Sequence, residues 1–96
     1  MIERQRFERW LRSKKPAEVV GCTDNAESCP VASFMQGLGY EGVFVSCMEV
    51  HWKDDAITHR DNLPTWAKTF VRRVDQTGED NVTAEAAIAI MENIDQ

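Results

Sequence analysis

Between Pro30 and Gly39 the chain carries its strongest constraint. Val31, Phe34, Met35 and Leu38 fall at i, i+3, i+4 and i+7, a complete apolar face at helical spacing. Pro30 suits a first helical residue, since a helix start leaves that N–H unbonded anyway, and Gly39 supplies the stop. A helix with one greasy face must bury it, so the rest of the chain has to build the opposing surface.

Three further segments repeat this logic. Phe7, Trp10 and Leu11 make an apolar stripe on a helix expected over residues 2–14, with Glu8 and Arg12 as a helical ion pair and Pro16 ending it. Trp66, Ala67, Phe70, Val71 and Val74 make a broad face on a helix starting near Pro64, capped by Asn62 or Asp61 and closed by Gly78. Thr83 reads as the N-cap of a last helix, with Val82 placed for a hydrophobic staple and Ala84, Ala87, Ile88, Met91 and Ile94 as the buried stripe.

Strand signals lie between the helices. Glu18, Val19 and Val20 form a short strand closed by Gly21, and residues 22–28 (CTDNAES) a polar loop. Residues 43–52 (VFVSCMEVHW) read as the main strand, rich in β-branched and aromatic side chains. Alternation puts Phe44, Ser46, Met48, Val50 and Trp52 on one face and Val43, Val45, Cys47, Glu49 and His51 on the other. A turn at 53–55 and a short antiparallel return over 56–59 follow. The expected fold is α+β, about four helices packed on a small, mainly antiparallel sheet, in a single domain spanning residues 1–96.

Charge narrows the function classes. The formal net charge is −5, but residues 1–15 carry +4 and the remaining 81 carry −9. An acidic body repels phosphate backbones, which disfavours wholesale nucleic-acid binding. The basic first helix (Arg9 and Arg12) and the Lys68, Arg72, Arg73 cluster keep a narrower nucleic-acid reading open, against a plain solvated helix face. No apolar run reaches the ~18 residues that span a bilayer, and charges interrupt the N-terminus where a signal peptide would be apolar. Three cysteines, an odd number, fit a reducing compartment, so a cytoplasmic protein is expected.

Few side chains suggest chemistry. Cys22, Cys29, Cys47 and His51 have the donor types of a tetrahedral zinc site. Their spacing argues against it: Cys22 and Cys29 are too far apart for a tight knuckle, and Cys47 and His51 would stand ~13 Å apart on one strand. Cys29 also precedes Pro30 at a helix start, where free amides favour a thiolate, so it is a candidate reactive thiol; a small residue packed at a cap is the plainer alternative. Glu49, His51, Asp54, Asp55, His59 and Asp61 could hold a cation or work as an acid–base pair, or simply keep a hairpin soluble. Trp10, Trp52 and Trp66 are read first as core; Trp52, at a strand end beside Lys53, is the tryptophan placed to be partly exposed and so to anchor a partner.

FERWLRSKKPAEVVG (residues 7–21), CPVASFM (29–35) and LPTWAKTFVRRVD (63–75) resemble small uncharacterised bacterial proteins, some cyanobacterial and actinobacterial. The resemblance implies a bacterial, cytoplasmic or mobile-element setting and carries over no functional residue. With no coherent catalytic set, the leading expectation is a non-enzymatic interaction or regulatory protein acting on another protein, or on a second copy of itself, with Arg9, Arg12, Trp52, Arg72 and Arg73 as binding residues. The alternatives are a metal- or thiol-dependent function through Cys22, Cys29, Cys47 and His51, and nucleic-acid binding through the first helix.

Overall fold

One phenylalanine explains how the helices meet. In the computed structural model, which describes residues 2–95, α1 (Arg4–Arg12), α2 (Pro30–Gly37) and α3 (Thr65–Asp75) converge on Phe7. Its ring lies edge-on to Phe34 of α2 (5.4 Å between centroids) and to Phe70 of α3 (5.1 Å), and tilted against Trp66 at 5.5 Å. Such aromatic pairs add ~0.5–1.5 kcal/mol each beyond the area they bury. α4 (Ala84–Glu92) packs on α1 and α3, with Ala84, Ala87 and Met91 buried. Thr83 caps it by accepting from the Ala86 N–H at 3.3 Å.

The strands form two antiparallel sheets. β1 (Val19–Cys22) pairs with β5 (Asn81–Thr83). β2 (Glu41–Val45), β3 (Glu49–Asp54) and β4 (Ile57–Asn62) form the second sheet, in the order β2-β3-β4. α2 packs against both β1 and β2 and so ties the sheets together. The chain is an α+β fold of four helices on a small antiparallel β core.

Several expectations change in detail. Residues 43–52 are not one strand. Ser46 breaks them: its Oγ accepts from the N–H groups of Met48 (3.2 Å) and Glu49 (3.0 Å), and its own N–H reaches the Glu49 carbonyl at 2.9 Å. The turn, with a register shift between Glu41 and Phe44, resets the alternation. Val43, Val45 and Val50 therefore face the core together, while Phe44 and Met48 are exposed. The next turn lies at Asp55–Ala56 rather than 53–55, and the return strand runs on to Asn62. Strand β1 continues through Gly21 instead of ending there, because it passes directly over the start of α2. Strand β5 was not expected, α1 is shorter than residues 2–14, and Leu38 falls beyond the end of α2 and is exposed. Pro64, not Asn62 or Asp61, holds the N-cap position of α3.

Candidate functional site

The four zinc-type donors do not assemble. Cys22 lies on β1 with its Sγ 3.7 Å from Asn81 Oδ1. His51 lies on β3, its ring stacked on Phe44 and its Nε2 3.4 Å from Glu49 Oε1. Cys29 and Cys47 share a concavity of about 210 Å³ with Asp24 and Asp75 that neither Cys22 nor His51 reaches. Among the described residues no three His, Cys, Asp or Glu side chains come together in a way that could hold a metal ion. The four residues belong to separate strands and turns, which argues against a zinc site built from them.

For Cys29 the surroundings favour the plainer alternative, a small residue packed at a helix cap. Burial pushes its thiol above the ordinary value, and the amides of Ala32 and Val31 at the start of α2 offset this only in part. The Asp75 carboxylate raises it further. The residue is 4% exposed, packed at a helix cap. Cys47, in the Ser46 turn, is the exposed thiol.

The basic residues have structural work. The last carbonyls of a helix lack intrahelical donors and carry the negative end of its dipole. At the end of α4, Arg73 donates to the Asn93 carbonyl at 2.9 Å, and Arg4 to those of Met91 (3.0 Å) and Ile94 (2.7 Å). Arg12 stands 4.0 Å from Glu92 on the same helix, while Arg9 and Arg72 are exposed. Two of the four arginines singled out for binding thus face α4. The acidic and imidazole groups of the hairpin divide between its faces, Glu49 with His51 on one and Asp54 with His59 (3.8 Å) on the other.

Trp52 does sit half-buried at the surface, in company the sequence did not suggest. Its ring stacks on His59 at 5.3 Å and 16°, the residue opposite it on β4. Tyr40, just before β2, meets it nearly at a right angle, 78° with centroids 5.8 Å apart. Tyr40 and Trp52 line a cavity of about 280 Å³ together with Glu41, Asp54 and Asp55. A larger, open cavity of about 540 Å³ lies beside Phe44, His51, Lys53 and Thr58.

β4 has an open edge. Asp55 and Ala56 both have positive φ (47° and 68°), the geometry of a two-residue hairpin turn closed by Asp54 opposite Ile57. Hydrogen-bonded pairs alternate along an antiparallel ladder, so Ile57, His59 and Asp61 turn their backbone groups inward and Thr58, Arg60 and Asn62 outward. Leu63 continues the inward set, its N–H reaching the Met48 carbonyl at 3.0 Å. The outward Asn62 N–H is taken by Asp61 Oδ1 at 2.9 Å. Among the described residues no backbone hydrogen bond reaches Thr58 or Arg60 from outside the hairpin. At the opposite edge the Val45 N–H bonds the Ala26 carbonyl at 2.8 Å.

No protein-family model, curated protein or solved structure matches this chain. Its surface chemistry is therefore what speaks to function. Among the described residues no helix is long and apolar enough to cross a membrane.

Proposed function

We propose that this protein is a non-enzymatic interaction module, regulatory in kind, that binds another protein by adding an extended segment of it to β4. The observation carrying this reading is the pair of outward-facing, unengaged peptide groups at Thr58 and Arg60 on a six-residue strand. An added strand would complete those bonds, which is how sheet-edge recognition gains affinity, with side chains on alternate faces supplying specificity. Polar residues on an edge also protect it from indiscriminate pairing, and Arg60, Asp61 and Asn62 do that here, leaving a short stretch for a chosen partner. Three unpaired thiols, one of them exposed, support a reducing, cytoplasmic setting.

Proline substitution tests the reading. In Arg60→Pro the lost N–H is the outward one, so the β3–β4 ladder stays intact. A partner captured from the native host by the wild type should be lost by Arg60→Pro and Thr58→Pro but retained by Arg60→Gln. In hydrogen exchange the Thr58 and Arg60 amides should become protected only in the complex. A partner that binds both proline variants as well as the wild type, or one that leaves these amides unprotected, refutes docking at this edge.

A further inference from the structure

We infer that the corner between Tyr40 and Trp52 is a binding site for an organic ammonium ion, with a trimethylated amine the best fit. The site is separate from the β4 edge and does not depend on the reading above. The two rings meet edge to face at 78° with centroids 5.8 Å apart, and both line a cavity of about 280 Å³. That is room enough for a small ammonium head group.

Aromatic faces attract cations through their quadrupole, most effectively when the cation is weakly hydrated and held within ~6 Å of the ring. The Trp52 ring is held in place. His59 lies flat against the indole at 5.3 Å, and Tyr40 and Trp52 both pack on the core. The sign of charge at the rim agrees: the carboxylates of Glu41, Asp54 and Asp55 line the same cavity. Lys53 is the one cation beside them. Its stem lies across Gly42, where a Cβ would be 3.0–3.2 Å from the lysine carbons, and it also lines the larger cavity. Among the described residues the cation–π contact within the chain, Lys14 over Trp10 at 5.4 Å, is at a different tryptophan.

Titration of the intact protein with choline, followed by NMR, tests the assignment. Its uncharged isostere, 3,3-dimethyl-1-butanol, has the same shape with carbon in place of the charged nitrogen. Choline is expected to shift the Trp52 indole and Tyr40 ring resonances, with the isostere about fivefold or more weaker. The surface double variant Glu41→Gln/Asp54→Asn should keep the fold and weaken choline several-fold. Tyr40→Leu should weaken it too, and serves where Trp52→Ala fails to fold. A trimethyl-lysine peptide binding more tightly than choline would assign the cation to a protein side chain; equal binding would assign it to a free small molecule. The inference is overturned if the isostere binds as well as choline, if the shifts map away from Tyr40 and Trp52, or if choline causes none. None of these outcomes affects the Arg60→Pro test of the β4 edge.

Discussion

Gly21→Ala adds a single methyl group to a strand that crosses the start of α2. A Cβ at this position would stand 2.5 Å from the Pro30 nitrogen, 2.7 Å from the Cys29 carbonyl carbon and 2.8 Å from Pro30 Cδ. Two of these atoms are backbone and the third belongs to a rigid ring, so no side-chain rotation relieves the clash and β1 must lift off α2. Overpacking costs ~1–3 kcal/mol when neighbours can adjust; with only backbone to move, the upper half of that range is expected, about 2–3 kcal/mol. For a domain of this size that lowers Tm by roughly 10–20 °C. The assay is urea unfolding followed by tryptophan fluorescence, where the midpoint should drop while the slope stays constant. Gly37→Ala is the internal control: it lies in α2 with nothing within 4 Å of its added Cβ, and should stabilise by up to ~0.5–1 kcal/mol through helix propensity. A Gly21→Ala protein within about 0.5 kcal/mol of wild type, the range of an ordinary surface change, would refute the packing of β1 on α2.

Other perturbations follow from the same contacts. Ala56 sits at φ 68° in a two-residue turn where glycine is at ease; Ala56→Gly should raise stability by about 1 kcal/mol, and a loss in the urea midpoint would contradict the turn geometry. Ser46→Ala removes an acceptor for two turn amides and should cost about 1 kcal/mol, with faster exchange of the Met48 and Glu49 amides; unchanged exchange would contradict it. Thiol labelling of the native protein should modify Cys47 first and Cys29 only on unfolding, given their exposure. The raised thiol of Cys29 keeps its proton in the folded state after the unfolded chain has begun to ionise near pH ~8.5. Its stabilising effect is therefore complete below that pH and lost as pH rises through the raised value. Wild-type stability should fall more steeply than that of Cys29→Ala as pH rises above the range in which an ordinary thiol ionises, and parallel curves would argue against it.

The helices were legible because each is specified by local spacing that tertiary contacts reinforce. Phe7, Phe34, Trp66 and Phe70 occupy the stripes read from the sequence, and all are buried. Their termini were legible where a side chain or glycine acts alone: Thr83 caps α4, and Gly39 and Gly78 take positive φ just beyond α2 and α3. Strand phase was harder to read. A period of two is reset by any irregularity, and the one in VFVSCMEVHW is a serine hydroxyl bonding to two amides, with no glycine or proline to announce it. One such turn moved Val50 from the expected company of Phe44 to that of Val43 and Val45.

The same limit governed the candidate site. Trp52 could be singled out because it ends an apolar run beside charged residues, a property of neighbours in sequence. Tyr40 carried no comparable signal, for its relation to Trp52 exists only once β2 folds back on β3 and the residues before β2 are drawn to the hairpin tip. His59 likewise meets Trp52 only through the β3–β4 register. Cys22, Cys29, Cys47 and His51 share donor chemistry, but their spacing in sequence gave no means of drawing them together, and the fold does not gather all four. Side-chain type proposes what a site can bind, but register decides which types meet. In this chain register keeps Cys22 and His51 away from the concavity that Cys29 and Cys47 share, and it brings two aromatic rings, three carboxylates and Lys53 to one cavity, which is the arrangement the choline titration tests.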